Sequence, residues 1–170
     1  MKTKLVSILG LAVVLVFAGC ETLPPPPTWN PVTAELEAEY QPYLVAGAGT
    51  LTGQAFLSQR GGGVVKAAGQ NVVLDPATTL GNEWWGKAGK KWVHRMLTPP
   101  SPAFAKARRT VVADADGKFH FSKLPAGKYY VHTEVTWDVA YLGVQGGIVG
   151  QLIEVPIDGT AEVILNQMPP

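Results

Sequence analysis

The sequence predicts an all-β fold: a single sandwich of about seven short strands, interrupted by one short helical insertion. Three observations carry this expectation. Apolar and polar residues alternate in short runs from Gly49 onward, as half-buried strands require. Turn residues punctuate the runs at short spacing, many of them among the 19 glycines. Val, Thr and aromatic residues fill the runs, and these suit a pleated surface better than a helix. A signal peptide and a proline-rich tether are expected ahead of the sandwich.

Lys2 and Lys4 give the leader a positive start, Leu5 to Phe17 is apolar, and Ala18, Gly19 and Cys20 close it. The apolar run falls short of the ~20 residues that span a bilayer. Residues 1–19 therefore read as a secretory signal. The stretch Val16-Phe17-Ala18-Gly19-Cys20 resembles a bacterial lipobox, with Phe17 in place of the usual Leu. That resemblance implies a diacylglyceride on Cys20, which becomes the first mature residue. Glu21, rather than Asp, follows it, and by the same resemblance the address is the outer membrane of the bacterial cell envelope.

Cys20 is the only cysteine, so no internal disulfide is possible, and acylation removes the one thiol nucleophile. Removing residues 1–19 leaves 151, enough for one domain and a tether. The leader holds two of the 14 basic residues and none of the 13 acidic ones, so the mature chain is nearly neutral. That balance excludes the global basic field of a nucleic-acid binder.

Residues 20–46 read as the tether. Pro24 to Pro27 favours extended polyproline II, a semi-rigid spacer off the lipid surface. Thr33 to Tyr40 reads as a short helix capped by Thr33, with Glu35, Glu37 and Glu39 on a solvated face. The domain follows over 47–168. Thr50 to Leu57 is its first strand, Val64-Val65 a short one, and Asn71 to Leu74 the next, ended by Asp75-Pro76. Residues 77–109 break the rhythm as an insertion, with a helix expected from about Asn82 to Leu97. Thr110 to Ala113, Lys118 to Ser122, Lys128 to Thr136, one or two strands within Gly143 to Val155 around Gly146-Gly147, and Thr160 to Leu165 complete the strands.

Thr110 to Val131 is the sharpest pattern. Asp114 and Asp116 favour a turn through side-chain bonds to nearby backbone, and Gly117 supplies positive φ. Phe119 and Phe121 fall on one strand face, with Lys118, His120 and Ser122 on the other. Leu124-Pro125-Ala126-Gly127 turns the chain, and Tyr129 and Val131 rejoin the Phe face. This segment resembles the carboxypeptidase regulatory-like domains, of transthyretin-like (prealbumin-like), Ig-like sandwich fold. The resemblance covers 49–76 and 106–166, with 77–109 as a departure. It implies an accessory, stabilising or binding module without an active site of its own.

Catalytic sets are not visible. There is no Gly-x-Ser-x-Gly, and Gly61-Gly62-Gly63 lacks the Lys and the helix of a phosphate loop. From Asp114, position five of a calcium loop would be Lys118 and position twelve Pro125, so the aspartates read as turn caps. The chain is not expected to be an enzyme or to need a cofactor. The best binding candidate is the basic, aromatic insertion, through Trp84, Trp85, Lys90, Lys91, Trp92 and Arg95. Trp beside Lys suits a membrane interface, an envelope protein or a glycan. The competing expectation is that these indoles pack on the sandwich. An alternative function is a periplasmic small-ligand or metal carrier. It would use His120 and His132 as cross-strand neighbours on an outward face, with Glu134 or Asp138 completing a site.

Overall fold

The computed structural model describes residues 28–91 and 100–170. The expected signal peptide, Cys20, the four-proline run, Trp92 and Arg95 lie outside the described residues. Among the described residues no helix is long and apolar enough to cross a membrane.

The described residues form an all-β sandwich of eight strands in two sheets. β1 (Ala48–Ser58) is the spine of the first sheet. It pairs antiparallel with β2 (Val64–Lys66) at its far end and with β5 (Lys118–Leu124) along its length. The last strand, β8 (Asp158–Leu165), adds to β1 in parallel. The second sheet runs β4 (Arg109–Val112), β3 (Asn71–Pro76), β6 (Gly127–Val139) and β7 (Gly143–Val155), all antiparallel. The expected strands are present, with β6 and β7 forming one long hairpin.

The core follows from the alternation. Leu51 and Leu57 of β1, Phe119 and Phe121 of β5, and Val163 and Leu165 of β8 face inward. Val72, Leu74, Tyr129, Val131 and Val135 meet them from the second sheet. Asp114 caps its turn as expected: Oδ1 accepts from the Asp116 and Lys118 amides at 2.8 and 2.9 Å. Gly117 sits there at φ 72°, where a Cβ would meet the Ala55 carbonyl oxygen at 2.5 Å. The Tyr129 hydroxyl donates to the Pro125 carbonyl at 2.8 Å, a tyrosine-corner arrangement that pins the crossing into β6.

A third layer covers the outer face of the second sheet. It comprises α1 (Ala34–Ala38), a 3-10 turn (Gln41–Tyr43), α2 (Thr79–Trp84) continued by a π turn (Trp85–Gly89), and α3 (Pro102–Ala107). Thr33, Thr78 and Ser101 cap the three α-helices through their side chains. The insertion helix starts at Thr79 rather than near Asn82. Residues expected to belong to the tether pack into this layer. Tyr40 is fully buried, with Phe104 edge-on at 5.9 Å. Glu39 was expected on a solvated face, but it accepts from the Thr79 amide at 2.7 Å and the Thr79 hydroxyl at 2.9 Å. The folded unit therefore reaches back to Trp29, which packs against the same cluster.

Candidate functional site

The sandwich has two outer faces, and they differ in kind. On the second sheet, β3 and β6 turn Asp75 and His132 outward, beneath the third layer. The Asp75 side chain is 1% exposed and receives a bidentate pair from Arg108, at 2.6 Å from Nε and 2.8 Å from the terminal nitrogen. His132 Nε2 lies 3.2 Å from the same carboxylate. Burial disfavours the charge on Asp75, but hydrogen bonds from His132 and Arg108 outweigh it and hold the carboxyl below its ordinary value. The Arg108 guanidinium lies over Trp84 at 4.5 Å and Phe104 at 5.0 Å. Trp85 stacks on Tyr130 at 4.7 Å and touches the His132 ring.

These contacts decide what the expected binding residues do. Trp84 and Trp85 are buried, 1% and 8% exposed, so they are not a ligand surface. Their indoles cover the Asp75–Arg108–His132 cluster, and Gly150 leaves room for them. A Cβ there would meet Trp85 at 2.8 Å and His132 at 2.7 Å. Lys90 donates to the Pro170 carbonyl at 2.5 Å, and Lys91 is exposed beside it. Lys87 pairs with Glu83 four residues back and donates to the Thr28 carbonyl, tying the N-terminal segment to the insertion.

The histidine pair is corrected as well. His132 lies opposite the Phe face, as expected, but that face is roofed and His132 is 1% exposed. β5 pairs with β1 and β6 with β3 and β7, so His120 and His132 sit on different sheets. The turn at Pro125 crosses between sheets and does not form a hairpin. Neither Glu134 nor Asp138 can join the two histidines into one site. Among the described residues no group of three or more His, Cys, Asp or Glu could hold a metal ion.

Among the described residues no helix covers the outer face of the first sheet. Its register builds two rows across three strands. His120 of β5 lies opposite Thr52 of β1, which lies beside Glu162 of β8. Lys118, Gln54 and Ile164 form the next row in the same order. Cross-strand partners share a face, with Cβ atoms ~5 Å apart. A groove of about 610 Å³ runs over Thr52, Gln54, Lys118, Glu162 and Ile164. A second, of about 300 Å³, adjoins it at Lys118 and runs past His120 to Val112 of β4. Sequence reading placed Lys118 and His120 outward. It missed the site because the parallel pairing of β1 with β8 has no local signature.

No protein-family model matches the sequence, and no curated protein matches it significantly. Among solved structures, the chain is similar to a putative carbohydrate binding protein from Pseudomonas aeruginosa. The TM-score is 0.66 at 28% identity, over 80% of this chain and 97% of that one. A more distant likeness, to the major pilin subunit of Bacillus cereus, has a TM-score of 0.41 at 17% identity, over 71% of this chain and 30% of that one. The fold and the likeness to the Pseudomonas protein together define the class: an all-β sandwich.

Proposed function

We propose that this chain is a noncatalytic carbohydrate-binding module of the bacterial cell envelope, held at the outer membrane by a lipid on Cys20. The observation that carries the binding half is the similarity to the Pseudomonas protein, which runs over 97% of that molecule. The open, polar face of the first sheet supports it, because a sugar needs hydrogen-bonding groups beside an apolar contact. The resemblance of Thr110 to Val131 to the carboxypeptidase regulatory-like domains supports an accessory role. The anchoring half rests on the lipobox-like residues ending at Cys20 and on the prolines that follow.

Two measurements test the halves separately. The full-length chain should be retarded on native gels cast with soluble polysaccharides. Unchanged mobility across neutral and acidic polysaccharides refutes the binding half. The processed Cys20→Ala variant should leave the membrane fraction for the soluble one. If it stays with membranes, the lipid anchor is wrong.

A further inference from the structure

We propose that the two-row face of the first sheet is the sugar site, and that it takes a neutral pyranose through a pair of adjacent hydroxyls. This rests on the carbohydrate-binding reading above and assigns it a place and a ligand class. Position and unused hydrogen-bonding capacity carry the assignment together.

Some polar groups on this face are already satisfied within the chain. The Thr50 and Thr160 hydroxyls bond to each other at 2.6 Å. The Gln54 amide nitrogen donates to the Asp116 carbonyl at 2.8 Å, and Lys66 pairs with the Asp116 carboxylate. In contrast, the side chains of Thr52, His120 and Glu162 make no hydrogen bond or ion pair among the described residues. They stand in one row, and His120 and Glu162 are separated by two strand spacings, ~10 Å. Lys118 stands in the next row, where the two grooves meet.

This set fits a sugar diol better than an ion. A carboxylate offers two oxygens as acceptors, so Glu162 can accept hydrogen bonds from two neighbouring hydroxyls at once. Thr52 and Lys118 donate to sugar oxygens on the β5 side. Ile164, 59% exposed and adjacent to Gln54, gives the carbon-bound hydrogens of the ring an apolar contact. The charged side chains balance and make no net positive site for an anionic sugar. Lys66 is neutralised by Asp116, and Glu162 stands in the groove against Lys118. The larger groove, at about 610 Å³, lies within the range of small-molecule sites, ~300–1,000 Å³.

The test is calorimetric titration of the full chain with maltotriose, cellotriose and triacetylchitotriose, with a heparin disaccharide as the anionic probe. At least one neutral trisaccharide should bind, and more tightly than the heparin disaccharide. Glu162→Gln, an exposed and nearly isosteric change, should weaken it about tenfold, or about 1.4 kcal/mol. Lys118→Ala should weaken it severalfold. Lys90→Ala and Lys91→Ala, on the opposite outer face, should stay within twofold. Equal thermal melts of parent and variants separate a lost contact from a lost fold. Binding that ignores Glu162→Gln and Lys118→Ala overturns the site and leaves the carbohydrate reading standing. Preference for the heparin disaccharide overturns the diol. Failure of all four sugars to bind overturns the site, and with unchanged mobility on the polysaccharide gels it removes the carbohydrate reading as well.

Discussion

Arg108→Met should loosen the third layer from the sandwich. The methionine keeps an apolar stem over Trp84 and Phe104 but removes both hydrogen bonds to Asp75, at 2.6 and 2.8 Å. The Asp75 side chain is 1% exposed, so water cannot replace them. Breaking a buried pair from one side costs about 3–5 kcal/mol, and the 25% exposure of Arg108 favours the lower end. For a chain of this size each kcal/mol moves the melting temperature ~2–4 °C, so a loss of roughly 6–12 °C is expected by near-UV circular dichroism. Asp75→Asn with Arg108→Met removes both charges and should recover about half the loss or more. The pH dependence follows from the depressed Asp75 carboxyl. The unfolded chain takes up the proton first, so the contribution is complete above the ordinary carboxylate value of about 3.9 and is lost as pH falls below it. The Asp75→Asn chain should lack that part of the acid destabilisation. A melting temperature within about 1 °C of the parent for Arg108→Met would refute the view that this cluster fastens the layer.

Three glycines give further tests. In Gly150→Ala the new methyl falls 2.7 Å from His132 Cβ and 2.8 Å from Trp85, so overpacking of about 1–3 kcal/mol and an altered indole dichroism are expected. Gly61→Ala, where a Cβ meets nothing within 4 Å, is the control and should stay within about 0.5 kcal/mol in urea titrations. Gly117→Ala adds left-handed backbone, φ 72°, to a 2.5 Å clash with the Ala55 carbonyl; it should lower the urea midpoint more than Gly150→Ala does.

The sandwich was legible because its signals are local. Phe119 and Phe121 against Lys118, His120 and Ser122 state their faces in the alternation alone, and burial follows it residue by residue. What failed was long-range. Leu124-Pro125-Ala126-Gly127 has the chemistry of a hairpin turn, but Lys123 at φ 55° and Gly127 at φ 148° direct the chain to the other sheet. Turn residues fix a change of direction and leave open which edge the next strand joins. Asp75 and Arg108 are 33 positions apart, and an isolated charge carries no mark of its partner. One miss had a signal. Leu36, Tyr40, Tyr43 and Leu44 fall at helical spacing ahead of the first strand, an amphipathic stripe that marks packing rather than tether.

The division of labour between the two outer faces bears on function directly. A β-sandwich buries the facing sides of its sheets and leaves two outer sides to be covered or used. Here the N-terminal segment and the insertion both go to one side. They close it with indoles, a tyrosine and Arg108, which pairs with Asp75 of the sheet, so these groups are occupied in holding the fold. The other side keeps Thr52, His120 and Glu162 without partners among the described residues, although a shift of register by one residue would have turned apolar core positions there instead. A chain that roofs one sheet and leaves a polar row across three strands of the other keeps its unused hydrogen-bonding groups on that second sheet. Under the carbohydrate reading proposed above, the buried indoles of the insertion meet no sugar and serve to hold the third layer on the sandwich.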